Sequence, residues 1–104
     1  MAKSEITSGV CGFITIVKTG MNGKICTVNI ETKCEHIKKM SEELTKVDPY
    51  REISYKKGMP LTHELAVKYL PHAACPVPAG IIKTIEVEAK LALPRDVNIK
   101  ISKD

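Results

Sequence analysis

The sequence is poor in aromatic side chains, with no tryptophan, one phenylalanine and three tyrosines. Its core must therefore be built from aliphatic residues. It also lacks any apolar run of roughly 20 residues, the length that a membrane-spanning helix requires, so we expect no membrane partner. The segment from Met1 to Ser8 is polar and has no apolar signal region, which predicts a cytoplasmic location.

Several functional classes find no support in the sequence. The net charge is only +4, and the lysines are scattered along the chain. A nucleic-acid-binding surface would need a basic stripe interleaved with aromatic residues, so we expect no nucleic-acid partner. There is no glycine-rich phosphate loop, Ser-His-Asp arrangement or paired-carboxylate motif. The sequence therefore points away from an enzyme without deciding the question.

The N-terminal half predicts a β-hairpin within a single domain of 104 residues. Val10–Lys18 and Ile25–Glu31 are rich in β-branched residues and alternate in polarity. Asn22-Gly23 between them is a strong signal for a two-residue turn. This turn predicts Val17 opposite Val28. The face toward the core then holds Phe13, Val17, Val28 and Ile30.

Three helices are predicted after the hairpin. Thr32 and Glu35 have the spacing of a capping box, which predicts a helix start there and an end at Asp48-Pro49. Its buried stripe is Ile37, Met40, Leu44 and Val47. A short second helix is predicted over residues 61–70. The third begins at Pro76, a residue type favoured in the first turn, and runs to about Leu91.

The segment "DVNIKIS" predicts a last strand, with Val97, Ile99 and Ile101 facing inward. The expected fold is α+β and two-layered, in the order ββαααβ, with a three-stranded sheet and helices on one face. The other face of the sheet would expose Ile14, Ile16 and Ile25. We interpret these three isoleucines as the contact of a homodimer, whereas no other protein partner can be named from the sequence.

The predicted hairpin register also indicates where the cysteines of the N-terminal half lie. It sets Cys11 opposite Cys34 at the open end, where paired side chains lie about 5 Å apart. Cys34 falls in the first turn of the first helix and Cys75 just before the third, and helix N-termini stabilise thiolates. Cys26 belongs to the turn end of the hairpin and is interpreted as a buried apolar residue.

These cysteines leave three hypotheses open. If Cys75 joins Cys11 and Cys34, and His72 adds a fourth ligand, the set suits zinc, while three cysteines also suit an iron–sulfur cluster. There is no CxxC pair, so this signal is limited. Alternatively, Cys34 is a reactive redox thiol with Cys11 as its resolving partner. Third, the cysteines are inert in a non-catalytic homodimeric module. His36 and His63 are interpreted as surface or capping residues.

The stretches "CGF", "HAACPVPAG" and "LALP" resemble a family of small uncharacterised cysteine-containing proteins of archaea and anaerobic bacteria. The resemblance runs from Cys11 to Lys100. It implies that Cys11, Cys34, Cys75 and His72 form one group, and Cys26 lies outside the pattern. It implies no reaction, since no activity transfers from the family. With it, a metal- or iron–sulfur-binding site becomes the leading interpretation.

Overall fold

The computed structural model describes residues 1–104 and contains one four-stranded antiparallel sheet with the strand order β1-β2-β3-β4. The strands are β1 (Lys3–Thr7), β2 (Ile14–Asn22), β3 (Ile25–Glu31) and β4 (Lys46–Val47). The helices are α1 (Glu35–Glu43), α2 (Pro49–Glu52), α3 (Leu61–Tyr69) and α4 (Val77–Glu88). The α+β prediction is confirmed. The predicted count of three strands and the order ββαααβ are wrong, because β1 and β4 were not expected.

The hairpin of β2 and β3 has the predicted faces but not the predicted register. Phe13, predicted to face the core, is the exception: it precedes β2 and is exposed. Val17 pairs with Ile30, and Asn22 with Ile25, so the strands are shifted by two residues and the turn is Gly23-Lys24. Gly23 has φ of +64° and Lys24 has no positive φ. That pattern fits a type II′ turn, which needs glycine at its first central position only. A shift of two residues leaves every side chain on the same face, so the predicted core face of the strands is correct although the predicted register is wrong.

The helices cover one face of the sheet and enclose an aliphatic core. α4 packs on β1, β2 and β3, α1 packs on β3, and α3 contacts both α1 and α4. No helix has both the length and the apolar character needed to cross a membrane. The core contains no aromatic side chain, which confirms the sequence prediction. Its members are Val17, Cys26, Val28, Ile37, Met40, Leu44, Val47, Leu65, Val77, Ile81 and Ile85.

The start of α1 differs from the prediction. Its N-cap is Cys34, with no capping side-chain hydrogen bond, so the expected capping box is wrong. The Thr32 hydroxyl instead accepts the Cys34 N–H at 3.2 Å and lies 3.0 Å from the Thr15 hydroxyl. The helix also ends earlier, at Glu43, and Val47 belongs to β4. Thr32 thus connects the β2–β3 hairpin to the start of α1 through hydrogen bonds.

The predicted last strand is absent. Residues 93–104 have no regular secondary structure. Val97, Ile99 and Ile101, expected to face inward, are all exposed. The strand prediction failed because alternation shows only that a segment is suited to pairing, and this segment pairs with no strand of its own chain.

The outer sheet face carries the three isoleucines expected at a homodimer contact. Ile14 and Ile25 are exposed, and Ile16 is half-buried. Lys18 and Glu31 lie near them and form an ion pair across the same face at 3.6 Å. The face is therefore mixed in polarity, and its role in dimerisation stays a prediction.

Replacing Gly80 with alanine is expected to destabilise the fold by about 1–3 kcal/mol, the usual cost of overpacking. A Cβ at this position of α4 would lie 2.8 Å from Cγ1 of Ile6 in β1. The clash outweighs the roughly 1 kcal/mol by which alanine favours a helix over glycine. Urea unfolding of Gly80→Ala measures the cost.

The matched control for Gly80 is the double variant. Ile6→Ala removes the clashing atoms, so Gly80→Ala in that background should be neutral or stabilising. An equal cost in both backgrounds would show that the contact with Ile6 is not the cause.

Candidate functional site

Cys11 lies in an exposed turn between β1 and β2. The turn is a short 3-10 helix, Gly9–Cys11, and the N–H of Gly12 donates to the carbonyl of Gly9 at 2.9 Å. Gly9 and Gly12 have φ of +78° and +74°, values that residues with a Cβ rarely adopt. The Cys11 thiol donates weakly to the carbonyl of Ser8 at 3.8 Å. The glycines thus define the conformation of this turn, and no neighbouring element buries the thiol.

Cys34 is half-buried at the start of α1, where it packs against the core. It does not face Cys11 across a strand pair, as the predicted register required, because the β2–β3 ladder ends at Ile16 and Glu31. Cys11 precedes β2 and Cys34 follows β3. Since the strands are antiparallel, both cysteines nevertheless lie at the same end of the hairpin.

Cys75 is the half-buried thiol that precedes α4. Its N–H donates to the carbonyl of His72 at 3.3 Å, which closes a turn containing both predicted ligands. Burial raises the pKa of the Cys75 thiol above its ordinary value of 9.0, and a hydrogen bond from the Val77 N–H opposes that rise. Pro76 is the N-cap of α4, so the helix starts close to where the sequence predicted.

Two other cysteines contribute to the raised pKa of the Cys75 thiol. After burial, negative charge on Cys11 and on Cys34 also raises this pKa. No three His, Cys, Asp or Glu side chains are close enough to hold one metal ion as they stand. The structure therefore contains no finished coordination sphere, although Cys11 and Cys34 lie at the same end of the hairpin.

A cavity of about 230 Å³ opens beside Cys75, between α3 and the segment before α4. His72 lines it, as do Ala66 of α3 and Leu70 just after that helix. His63 of α3, expected at the surface or at a cap, is half-buried and lines it as well. The helical spacing of His63, Ala66 and Leu70 was the signal that could have placed this histidine. Two histidines from different segments therefore line the same cavity as Cys75.

Cys26 is separate from this group. It is fully buried in the core, where it pairs with Met21 and Val47 in the sheet. Burial, and then the charge of Glu88, raise the pKa of its thiol from 9.0 to about 11. Cys26 is therefore a neutral thiol near pH 7. The interpretation of Cys26 as a buried apolar residue is confirmed.

The four thiols should react at different rates. With metal removed by a chelator, iodoacetamide at pH 8 is expected to modify the exposed Cys11 well before the half-buried Cys75, and Cys26 only after unfolding. Peptide mass spectrometry over time measures each rate. A Cys26→Ala variant should show unchanged rates at the other positions, and modification of Cys26 together with Cys11 in the folded protein would contradict this burial order.

A family model matches residues 2–101, and its description is a family of unknown function, DUF6951. The comparison with curated proteins gave no match. The comparison with solved structures gave none either. The family match agrees with the resemblance to an uncharacterised family. Because it spans nearly all of the chain, the protein belongs to this family, DUF6951.

Proposed function

We propose that the protein binds one zinc ion or one iron–sulfur cluster through Cys11, Cys34 and Cys75. The observation that carries the proposal is the placement of these thiols in three separate segments: Cys11 and Cys34 flank the β2–β3 hairpin at one end, and Cys34 and Cys75 both pack against the core. Thiolates brought together repel each other, and a bound cation converts that repulsion into attraction. Thiolate sulfur is a soft ligand, of the type that zinc and iron–sulfur centres prefer.

The surroundings of Cys75 do not activate this thiol for redox chemistry, and the redox alternative accordingly uses Cys34 and Cys11. A redox thiol is activated by a lowered pKa, which a neighbouring cation or a helix N-terminus usually provides. At Cys75 the only favourable influence is the Val77 N–H, and burial outweighs it. No positively charged side chain is among the causes. A bound metal cation would supply the positive charge that the surroundings of Cys75 lack.

Formation of the site requires the Cys11 turn to move toward Cys34 and Cys75. Cys11 is exposed, and its thiol makes only a weak bond to its own turn, so little is lost when it leaves. Cys34 and Cys75 pack against the core and define where the metal sits. His72 is exposed, only three residues from Cys75, and would supply the fourth ligand of a Cys₃His zinc site.

The proposed role is non-enzymatic. A four-ligand zinc site is closed and stabilises the fold, whereas an iron–sulfur cluster would pass electrons to a protein partner. All four cysteines are free thiols, a state that suits the reducing cytoplasm. The cytoplasmic location and the absence of a nucleic-acid partner are parts of this proposal.

Metal and acid-labile sulfide content of the protein purified without oxygen tests the proposal. We expect zinc near one per chain, or iron with matching sulfide and visible absorption. The matched control is Cys26→Ala, which removes a cysteine outside the site and should keep the same metal content. Protein that stays metal-free after anaerobic reconstitution with zinc or with iron and sulfide would overturn the proposal, and a reversible disulfide in that protein would favour the redox alternative.

A further inference from the structure

The segment after α4 is apolar in a strand-like pattern yet largely exposed. Val97 is 56% exposed, Ile99 74% and Ile101 89%, and the polar residues Asn98 and Lys100 alternate with them. Such alternation is typical of a strand that buries one face. A cluster of exposed aliphatic side chains of this kind marks an interaction surface more often than free solvent contact.

Strand β1 offers an unpaired edge. It pairs only with β2, and Ala2 and Ser8 on either side of it make backbone bonds to Thr19 and Phe13 at 2.9 and 3.0 Å. In an antiparallel pair the bonded positions alternate, so Lys3, Glu5 and Thr7 direct their N–H and C=O groups away from β2. An edge of this kind is a template for another strand.

The core is also incompletely covered along β1. The side chains of β1 that face the helices are Ser4 and Ile6, and both are only half-buried. Thr15, Val17 and Thr19 of β2, on the same face, are buried. A strand added beside β1 with apolar side chains on this face would cover Ile6.

The apolar segment leaves the fold beside this edge and then extends away from it. Glu88 at the end of α4 accepts the Ala2 N–H at 2.5 Å, so α4 ends next to the start of β1. Lys90, with φ of +63°, turns the chain, and Pro94 favours an extended Leu93 before it. Residues 97–101 nevertheless pair with no strand of their own chain, which leaves them available to the edge of a second copy.

We propose that residues 97–101 of one copy pair with the free edge of β1 in a second copy, and that the exchange is reciprocal and forms a homodimer. Val97, Ile99 and Ile101 then lie over Ile6 of the second copy, and the backbone of the segment bonds to the open groups of β1. The family match includes residues up to 101, so the segment belongs to the shared domain. This homodimer does not depend on metal binding.

Light scattering coupled to size-exclusion chromatography tests the dimer. We expect wild-type protein at tens of micromolar to have twice the 11.5 kDa mass of the chain. The triple variant Val97→Lys, Ile99→Lys, Ile101→Lys should be monomeric, because its pairing face is charged. The control variant Asn98→Lys, Ser102→Lys adds charge to the other face and should remain dimeric.

The edge itself is tested by Glu5→Pro. Proline removes an N–H that points away from β2, and such positions on an edge strand tolerate proline, so the fold is retained and the dimer is lost. Far-UV circular dichroism confirms folding, and Glu5→Ala should remain dimeric. A monomeric wild type overturns the proposal, including the case in which amide exchange shows the segment folded back on its own β1. A dimeric triple variant also overturns it and leaves the Ile14, Ile16 and Ile25 face as the alternative contact.

Discussion

Replacing Cys75 with serine is expected to lower the affinity of the proposed site for its metal more than 100-fold. The half-buried position of Cys75 against the core makes it a fixed ligand of that site. Serine keeps the size of the side chain but not the soft thiolate. Loss of an outer-shell partner already costs about 10–100-fold in metal affinity, and loss of a direct ligand costs more. Competition with a chelator of known affinity measures the change.

The loss of metal affinity in Cys75→Ser is compared with the losses at the other proposed ligands. Cys11→Ser and Cys34→Ser should show losses of similar size, and His72→Ala should lose at least tenfold if the imidazole is the fourth ligand. Cys26→Ala should bind metal as the wild type does, because its thiol lies in the core. Wild-type affinity in Cys75→Ser would show that the metal, if bound, sits elsewhere.

Glu52→Ala is expected to lower the free energy of unfolding by about 3 kcal/mol, which is the largest stability effect we expect from a polar residue here. The Glu52 carboxylate is 1% exposed and lies at the N-terminus of α3. It accepts the N–H of Leu61 and of Thr62, each at 2.9 Å, and the Thr62 hydroxyl at 2.5 Å. Removing a buried acceptor leaves its donors without a hydrogen-bond partner, which costs about 1–3 kcal/mol of stability. It also removes a helix cap worth about 0.5–2 kcal/mol.

Urea unfolding followed by circular dichroism measures the effect of Glu52. Glu52→Gln should lose less, because the amide keeps one acceptor oxygen. Glu42→Ala, at an exposed position of α1, should change stability by no more than about 0.5 kcal/mol. A urea concentration at the unfolding midpoint that is equal for Glu52→Ala and Glu42→Ala would contradict the capping role of Glu52.

Alternation and helical spacing were enough to predict the faces of the hairpin and the positions of α3 and α4. They could not fix the register, because Asn22-Gly23 and Gly23-Lys24 are both acceptable turns that differ in which residue has a positive φ. β1 was not predicted because Lys3–Thr7 is a polar edge strand whose half-buried residues reflect packing against α4. Edge strands of this kind carry a weak signal in the sequence alone.

The candidate site was predictable in part for a physical reason. The antiparallel hairpin brings the segment before β2 and the segment after β3 to one end, whatever the exact register, so Cys11 and Cys34 were placed together by topology. The position of Cys75 depends on the packing of α4 on the sheet, which local sequence does not specify. His63 faces the cavity for the same reason, since it depends on how α3 meets the start of α4.

The most direct test of the three-thiol site is X-ray absorption at the edge of the metal found in the anaerobically prepared protein. We predict three sulfur ligands in the first shell, at about 2.3 Å for zinc, with one imidazole nitrogen at about 2.0–2.1 Å. For an iron–sulfur cluster, the spectrum should show iron neighbours as well as sulfur. A first shell made only of oxygen and nitrogen would mean that Cys11, Cys34 and Cys75 do not act together as a metal site.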